Sequence, residues 1–264
     1  MLKIKLMSVY PEFTPQEAVK NIRWDNESKL VFYSDIFVTH PVYEENACAL
    51  LIEPRSIQPQ VYKYMETNYN KFKYVFTHDS ILLRNIPNGK QIYWGGVWHI
   101  SDELKTKNIS FCSSNKKICR EHRERLSLAK QLDGKIDCMG TFNGGRRVST
   151  EEIYAPYRFS VAIENYVDDY WFTEKLCNCF ANKTIPIYYG ARKISDLFNT
   201  DGMFLCNSIS GINGVINYIL KEGPEKLYKE RKAYIDDNFE RVKRFVCFED
   251  EFYNMYKDLL EDLL

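Results

Sequence analysis

Apolar residues in this chain fall into two rhythms. An alternating run at 3–7 and short, nearly continuous apolar runs at 29–33, 47–52 and 74–77 predict strands, with helical patches between them. From residue 105 onward the alternation is cleaner. A strand is expected at 109–112, a polar loop at 113–117, and a charged amphipathic helix at 120–132, whose apolar face is Leu126, Leu128, Ala129 and Leu132. Next come a strand at 136–139, a glycine-rich loop at 140–145, a buried strand at 159–163, a helix opening at Thr173, and a strand at 185–189. A short helix, a strand at 203–206 and a helix at 212–221 extend the pattern to Pro224, which should break it. Helical periodicity then runs through Tyr228, Tyr234, Phe239, Phe245, Phe252, Tyr256 and Leu259, predicting a long terminal helix. Strands alternating with helices at this spacing imply βαβ units and parallel sheets, an α/β fold. No internal repeat or low-complexity tract interrupts the chain.

With 264 residues, 45% of them hydrophobic and 15% aromatic, the chain can bury sizeable cores. Its 36 Lys and Arg balance 36 Asp and Glu. A nucleic-acid partner is therefore not expected, because phosphate-backbone affinity needs a net basic footprint. Any recognition of phosphate must be local. The eight cysteines, at 48, 112, 119, 138, 177, 179, 206 and 247, contain no CxxC pair and mostly sit in apolar runs, which fits reduced thiols in a reducing cytosol. The first residues alternate as a strand, not as a signal peptide, and nowhere do eighteen apolar residues run together, so no membrane-spanning segment is expected. GTFNGG lacks the G-x-G-x-x-G order of a dinucleotide-binding turn. His40, His78, His99 and His122 show no ligand spacing, and no D-x-D is present. Asp168-Asp169 and Asp236-Asp237 read as solvated or capping pairs, so no bound metal is implied.

The stretch from Arg158 to Gly190 carries the most specific chemistry. A strand ends at Glu164-Asn165, and a helix opens at Thr173-Glu174-Lys175. A helix start offers unpaired N–H groups and the positive end of the macrodipole, and Lys175 adds an ammonium, so the place suits a phosphorylated ligand. Glu174 is left to accept hydrogen bonds from hydroxyls. A sugar nucleotide, with its diphosphate and ribose diol, has both features.

The ordered elements Ile163-Glu164-Asn165, Trp171, Thr173-Glu174-Lys175 and Thr184-Ile185-Pro186-Ile187-Tyr188-Tyr189-Gly190 resemble the donor-binding signature of the α-1,3-fucosyltransferases, glycosyltransferase family 10. Ile163 stands where the family usually has Phe, and Trp171 where it often has Tyr. The resemblance covers about residues 47–190. It implies a GT-B architecture of two Rossmann-like lobes facing a cleft, with C-terminal helices crossing back. The corresponding division is 1–105 as the acceptor-binding lobe, 106–235 as the nucleotide-sugar lobe and 236–264 as the returning helix, with a polar linker near 101–107. Animal members carry a Golgi membrane stem; its absence here favours a cytoplasmic enzyme of bacterial or viral type.

Glu53 ends the apolar run Cys48-Ala49-Leu50-Leu51-Ile52, and Pro54 stops further strand pairing, which leaves the carboxylate at the strand's end. On residues alone it either caps a turn or does chemistry; the resemblance makes it the general base. The resemblance further aligns Ser114-Asn115, Arg125, Gln131-Leu132 and Ile136-Asp137-Cys138-Met139-Gly140 with the family's pattern. That makes Arg125 the diphosphate contact, with Arg123 beside it. The other reading of these arginines is a solvated face paired with Glu121 and Glu124. Asn165 either binds the nucleotide or caps a turn, and Trp171 either packs or stacks. Tyr93-Trp94-Gly95-Gly96-Val97-Trp98 reads as aromatic–glycine packing at a lobe edge, or else as an acceptor-binding wall.

The expected protein is thus an inverting glycosyltransferase that moves L-fucose from GDP-L-fucose to a hydroxyl of a cell-surface or viral glycan and requires no cofactor. Its donor contacts would be Arg125, Arg123, Glu164, Asn165, Trp171, Thr173, Glu174 and Lys175. The rival readings are a transferase of another nucleotide sugar and a non-catalytic sugar-nucleotide or glycan-binding protein.

Overall fold

The computed structural model describes residues 1–40 and 43–264. Its contacts divide the chain into two compact units, Met1–Trp94 with Asp168–Trp171 and Cys247–Leu264, and Gly95–Val167 with Phe172–Val246. Each is an α/β unit built on one parallel sheet, the pair of folds that the resemblance implies.

The first unit runs β1 (Leu2–Met7), β2 (Ile22–Trp24), β3 (Val31–Ser34), β4 (Cys48–Leu51), α1 (Pro59–Asn68), β5 (Val75–Thr77), α2 (Ser80–Asn85) and β6 (Gly89–Gln91). Its sheet is ordered β2-β1-β3-β4-β5-β6, parallel throughout. Strands covered on both faces must be apolar along their whole length, and β3 and β4 are buried at every position. One face is filled by Val61, Tyr62 and Met65 of α1. Phe248 and Phe252 join the other face, Phe252 lying 4.8 Å from the Phe76 ring.

The second unit runs β7 (Lys107–Cys112), α3 (Arg120–Leu132), β8 (Asp137–Met139), α4 (Thr150–Tyr154), β9 (Tyr157–Ile163), α5 (Glu174–Ala181), β10 (Ile185–Tyr189), β11 (Phe204–Leu205), α6 (Ile209–Glu222), α7 (Pro224–Glu230) and α8 (Lys232–Val242). Its parallel sheet is ordered β11-β10-β9-β7-β8. Leu126, Ala129 and Leu132 of α3 pack with Ile212, Ile216 and Ile219 of α6 over the sheet.

Three expectations need adjusting. The division falls at Trp94/Gly95 instead of after 105, because the stretch that follows is tied to α5. The N–H groups of Trp98 and His99 donate to Asn178 Oδ1 at 2.8 and 3.3 Å, and Ser101 donates to the Ala181 carbonyl. Gly95 itself leaves no room for a side chain, since a Cβ there would lie 2.5 Å from the Phe172 ring and 2.9 Å from Cys177 Sγ. The return to the first unit begins at Cys247 and not at 236, since α8 remains with the second unit through Asn238, which bonds Asn199 in both directions. Finally, the terminal helix is not continuous. Pro224 starts α7 after Gly223 turns at φ 97°, and an extended Cys247 separates α8 from α9 (Phe248–Glu261).

All eight cysteines are free thiols. Among the described residues no helix is long and apolar enough to cross a membrane.

Candidate functional site

In the second sheet the strand order reverses between β7 and β9, so a crevice is expected beyond the carboxyl ends of those two strands. The chain places Ser113–Ser114 and Glu164–Asn165 there. Glu164 is wholly buried, and its N–H continues the β9–β10 pairing by donating to the Tyr189 carbonyl at 2.9 Å. Its carboxylate turns to the start of α5, where it accepts from the Thr173 N–H at 2.9 Å and the Thr173 hydroxyl at 2.8 Å. Thr173 is the N-cap of that helix. A carboxylate and a cap oxygen thus satisfy a helix start whose N–H groups would otherwise be orphaned. Gly190 completes the motif sterically, because a Cβ there would meet Glu164 Cγ at 2.6 Å as well as the Tyr188 hydroxyl.

Lys175 reaches back over this cap. Its Nζ donates to Thr173 Oγ1 at 2.9 Å, to Glu174 Oε1 at 3.3 Å and to Glu164 Oε2 at 3.4 Å. Burial opposes its charge, yet Glu174 and Glu164 outweigh that and raise its pKa. Burial likewise works against ionised Glu174, but Lys175 and Thr173 hold its carboxyl below the usual range, whereas burial dominates at Glu164 and raises it. With 23% and 26% of their side chains exposed, Lys175 and Glu174 are the accessible edge of the cluster.

Arg125 enters from α3, only 8% exposed. Its guanidinium spans the switch point, donating to the Ile163 carbonyl and to Ser114 Oγ, both at 3.4 Å, while its buried Nε has no partner. Burial lowers its pKa against the pull of Glu164 and Glu174. The beginning of α3 is tied to the same corner by Cys119, whose thiol donates to the Asn165 carbonyl at 3.4 Å. Beside Ser113 and Ser114 a recess of about 550 Å³ opens at the strand ends, lined also by Lys116, Gly140, Thr141 and Arg147.

The structure therefore brings together Arg125, Glu164, Asn165, Thr173, Glu174 and Lys175. Two expected donor residues lie elsewhere. Arg123 is exposed and donates to the Lys117 carbonyl at 3.1 Å, because the helical spacing turns it away from Arg125. Trp171 is 2% exposed and belongs to the first unit, its ring 4.2 Å from that of His78, so it offers no face for stacking. Asp168, just before it, accepts from the Ser80 N–H at 2.8 Å, which secures this segment to α2. Glu164 and Thr173 have their polar atoms engaged with each other and with Lys175, so they hold Lys175 and the helix start.

In the first unit the sheet reverses between β1 and β3. Glu53 follows β4 by two residues, half-buried, and its carbonyl accepts from the Tyr62 hydroxyl at 2.6 Å. Tyr62 also bonds His78 Nε2 at 3.2 Å. Asp35, at the end of β3, accepts from the N–H groups of both Ile52 and Glu53, at 2.9 and 3.0 Å. Burial, with Glu53 adding to it, pushes the Asp35 carboxyl up to about 7. Glu53 and Asp35 both act on Tyr10, whose pKa is raised by burial and by these two carboxyls. Sequence reasoning missed Asp35 and His122. The first ends an apolar run just as Glu53 does. The second falls on the buried face of α3 with Leu126 and Ala129, a helical spacing that could have exposed it. Among the described residues no group of three or more His, Cys, Asp or Glu could hold a metal ion.

Two parallel-sheet α/β units with a site at a strand-order reversal define the GT-B class of glycosyltransferase fold. Within that class, the chain belongs to glycosyltransferase family 10 (fucosyltransferase), whose C-terminal model matches residues 102–246. It is 26% identical over 142 residues to an α-(1,3)-fucosyltransferase, FucT, of Helicobacter pylori, a match over 53% of this chain and 28% of that protein's length. Its fold resembles a crystal structure of an α1,3-fucosyltransferase with GDP, at TM-score 0.58 and 15% identity, covering 98% of this chain and 90% of the other. An α1,3-fucosyltransferase with GDP-fucose gives TM-score 0.56 at 16% identity, covering 91% and 82%.

Proposed function

We propose that the protein transfers L-fucose from GDP-L-fucose to a hydroxyl of an acceptor glycan, with inversion at the anomeric carbon. The observation that carries this reading is the placement of Arg125 and Lys175 on either side of the switch point in the second sheet, over a helix start built by Glu164 and Thr173. A diphosphate there would meet two fixed cations, and Glu174 would accept from a ribose hydroxyl. The neighbouring recess has the size of a nucleoside pocket. The fucosyltransferases of similar fold solved with GDP and with GDP-fucose support the choice of donor.

In this scheme Glu53 of the first unit takes the proton of the acceptor hydroxyl as its oxygen bonds to the anomeric carbon from the face opposite GDP. The carbon–oxygen bond to the diphosphate breaks at the same time, and its electrons stay with the departing GDP. Arg125 and Lys175 balance the charge that develops there, and because they are already in place they need no reorganisation during the reaction.

The test is a transfer assay paired with nucleotide binding. Glu53→Gln should lower turnover by about a hundred- to ten-thousand-fold while leaving GDP affinity unchanged. Lys175→Ala should weaken GDP. A wild-type protein that is stabilised by uridine diphosphate and not by GDP points to another donor sugar, and one that binds GDP but turns over no acceptor points to a binding protein.

A further inference from the structure

His122 lies one helical turn before Arg125 on α3, on the same face. It is 6% exposed, and its Nδ1 is buried without a hydrogen-bond partner. The Arg125 Nε is in the same condition. Buried polar atoms are almost always paired, and leaving one unpaired costs the desolvation of the group, so two orphans one turn apart call for an explanation. The side chains whose charges act on the imidazole are cations: Arg125 from α3 itself, Lys116 from the loop after β7 and Lys175 from α5. Glu164 and Glu174 face Arg125 and Lys175. An anion bonded to both residues would pair both orphans at once.

We propose that His122 is a further ligand of the donor diphosphate, its Nδ1 bonding a phosphate oxygen beside Arg125, and that the imidazole takes up a proton as the nucleotide binds. The inference rests on the donor reading above and adds to it a residue and a proton. Without ligand, burial first and then the three cations disfavour a charged imidazole, which puts its pKa at about 4. A diphosphate reverses the sign of the local field. The imidazolium then becomes favourable and both ring nitrogens become donors.

Calorimetric titration of the full chain with GDP, in buffers of different ionisation enthalpy, counts the protons exchanged. The terminal phosphate of GDP titrates as well, so the difference between wild type and variant is the quantity to read. His122→Phe keeps the ring and removes both nitrogens. It should bind GDP about tenfold to a hundredfold more weakly, the range of one charge-assisted hydrogen bond, with guanosine affinity unchanged. His122→Asn places an amide N–H near the Nδ1 position; it should recover most of the affinity and none of the proton uptake. Unchanged GDP affinity in His122→Phe overturns the proposal. So does an equal loss for guanosine and GDP, which marks a packing role, and so does the same proton count in wild type and His122→Asn. A wild type that does not bind GDP removes the donor reading itself, an outcome distinct from these.

Discussion

Asp35 has a backbone φ of 50°, in the left-handed region that residues other than Gly, Asn and Asp seldom enter. The conformation turns its carboxylate back onto the N–H groups of Ile52 and Glu53, so the direction in which Glu53 leaves β4 is set by a neighbour on β3. An acid whose folded pKa is raised, here to about 7, contributes stability that is complete below its unfolded pKa near 3.8 and is lost as pH rises through the folded value. Asp35→Asn keeps the accepting oxygen but not the titration. Its stability relative to wild type should therefore climb between pH 4 and pH 7.5, by at most about 4 kcal/mol for three pKa units. Urea melts at the two pH values check this, and a gap that narrows with pH contradicts it. Asp35 was visible in the chain as a polar residue ending an apolar run, as Glu53 was. Its role was not legible, because the contact depends on the register Ser34↔Leu50 between β3 and β4, which no local pattern encodes.

At the level of elements, α5 shows how a short helix is fixed at its start. Eight residues are too few to be stable alone, and this helix starts where a Thr cap and a buried carboxylate fix its first turn. Thr173→Val keeps the shape and removes the oxygen that joins Glu164 to Lys175. It should cost about 1–2 kcal/mol in urea unfolding and weaken GDP, with Thr173→Ser restoring both. A valine variant as stable as wild type would show that Glu164 alone caps the helix. Periodicity located the elements buried by regular patterns: the helix at 120–132 and the strand at 185–189 match α3 and β10 residue for residue. It did not find β2 and β6, three-residue edge strands with too few positions to establish a period. It also merged α7, α8 and α9 into one helix, since aromatic spacing is the same on both sides of a break. Glu174 and Lys175 were legible because their motif is contiguous, whereas Arg125 came from a second pattern some fifty residues earlier. Trp171, in the middle of that motif, was misplaced because the chain crosses briefly into the first unit there.

For the molecule as a whole, the first unit owes its integrity to a segment distant in sequence. Helix α9 carries Glu249, whose Oε1 accepts from the N–H groups of Phe13 and Thr14 and from the Trp24 indole at 2.9 to 3.2 Å. Phe252 of the same helix stands edge-on to both Phe32 and Phe76. Phe252→Ala opens a cavity where three aromatic rings meet and should cost about 3–5 kcal/mol. That loss falls in the unit that carries Glu53. The groups assigned to the nucleotide, Arg125, His122 and Lys175 for the diphosphate and Glu174 for the ribose, all lie in the other unit. At a temperature where the variant is still folded, its GDP affinity should stay within about twofold of wild type, in contrast to Thr173→Val, which lowers stability and affinity together. Calorimetry with GDP on both variants separates the cases. If Phe252→Ala weakens GDP as much as Thr173→Val does, the nucleotide is not held by the second unit alone.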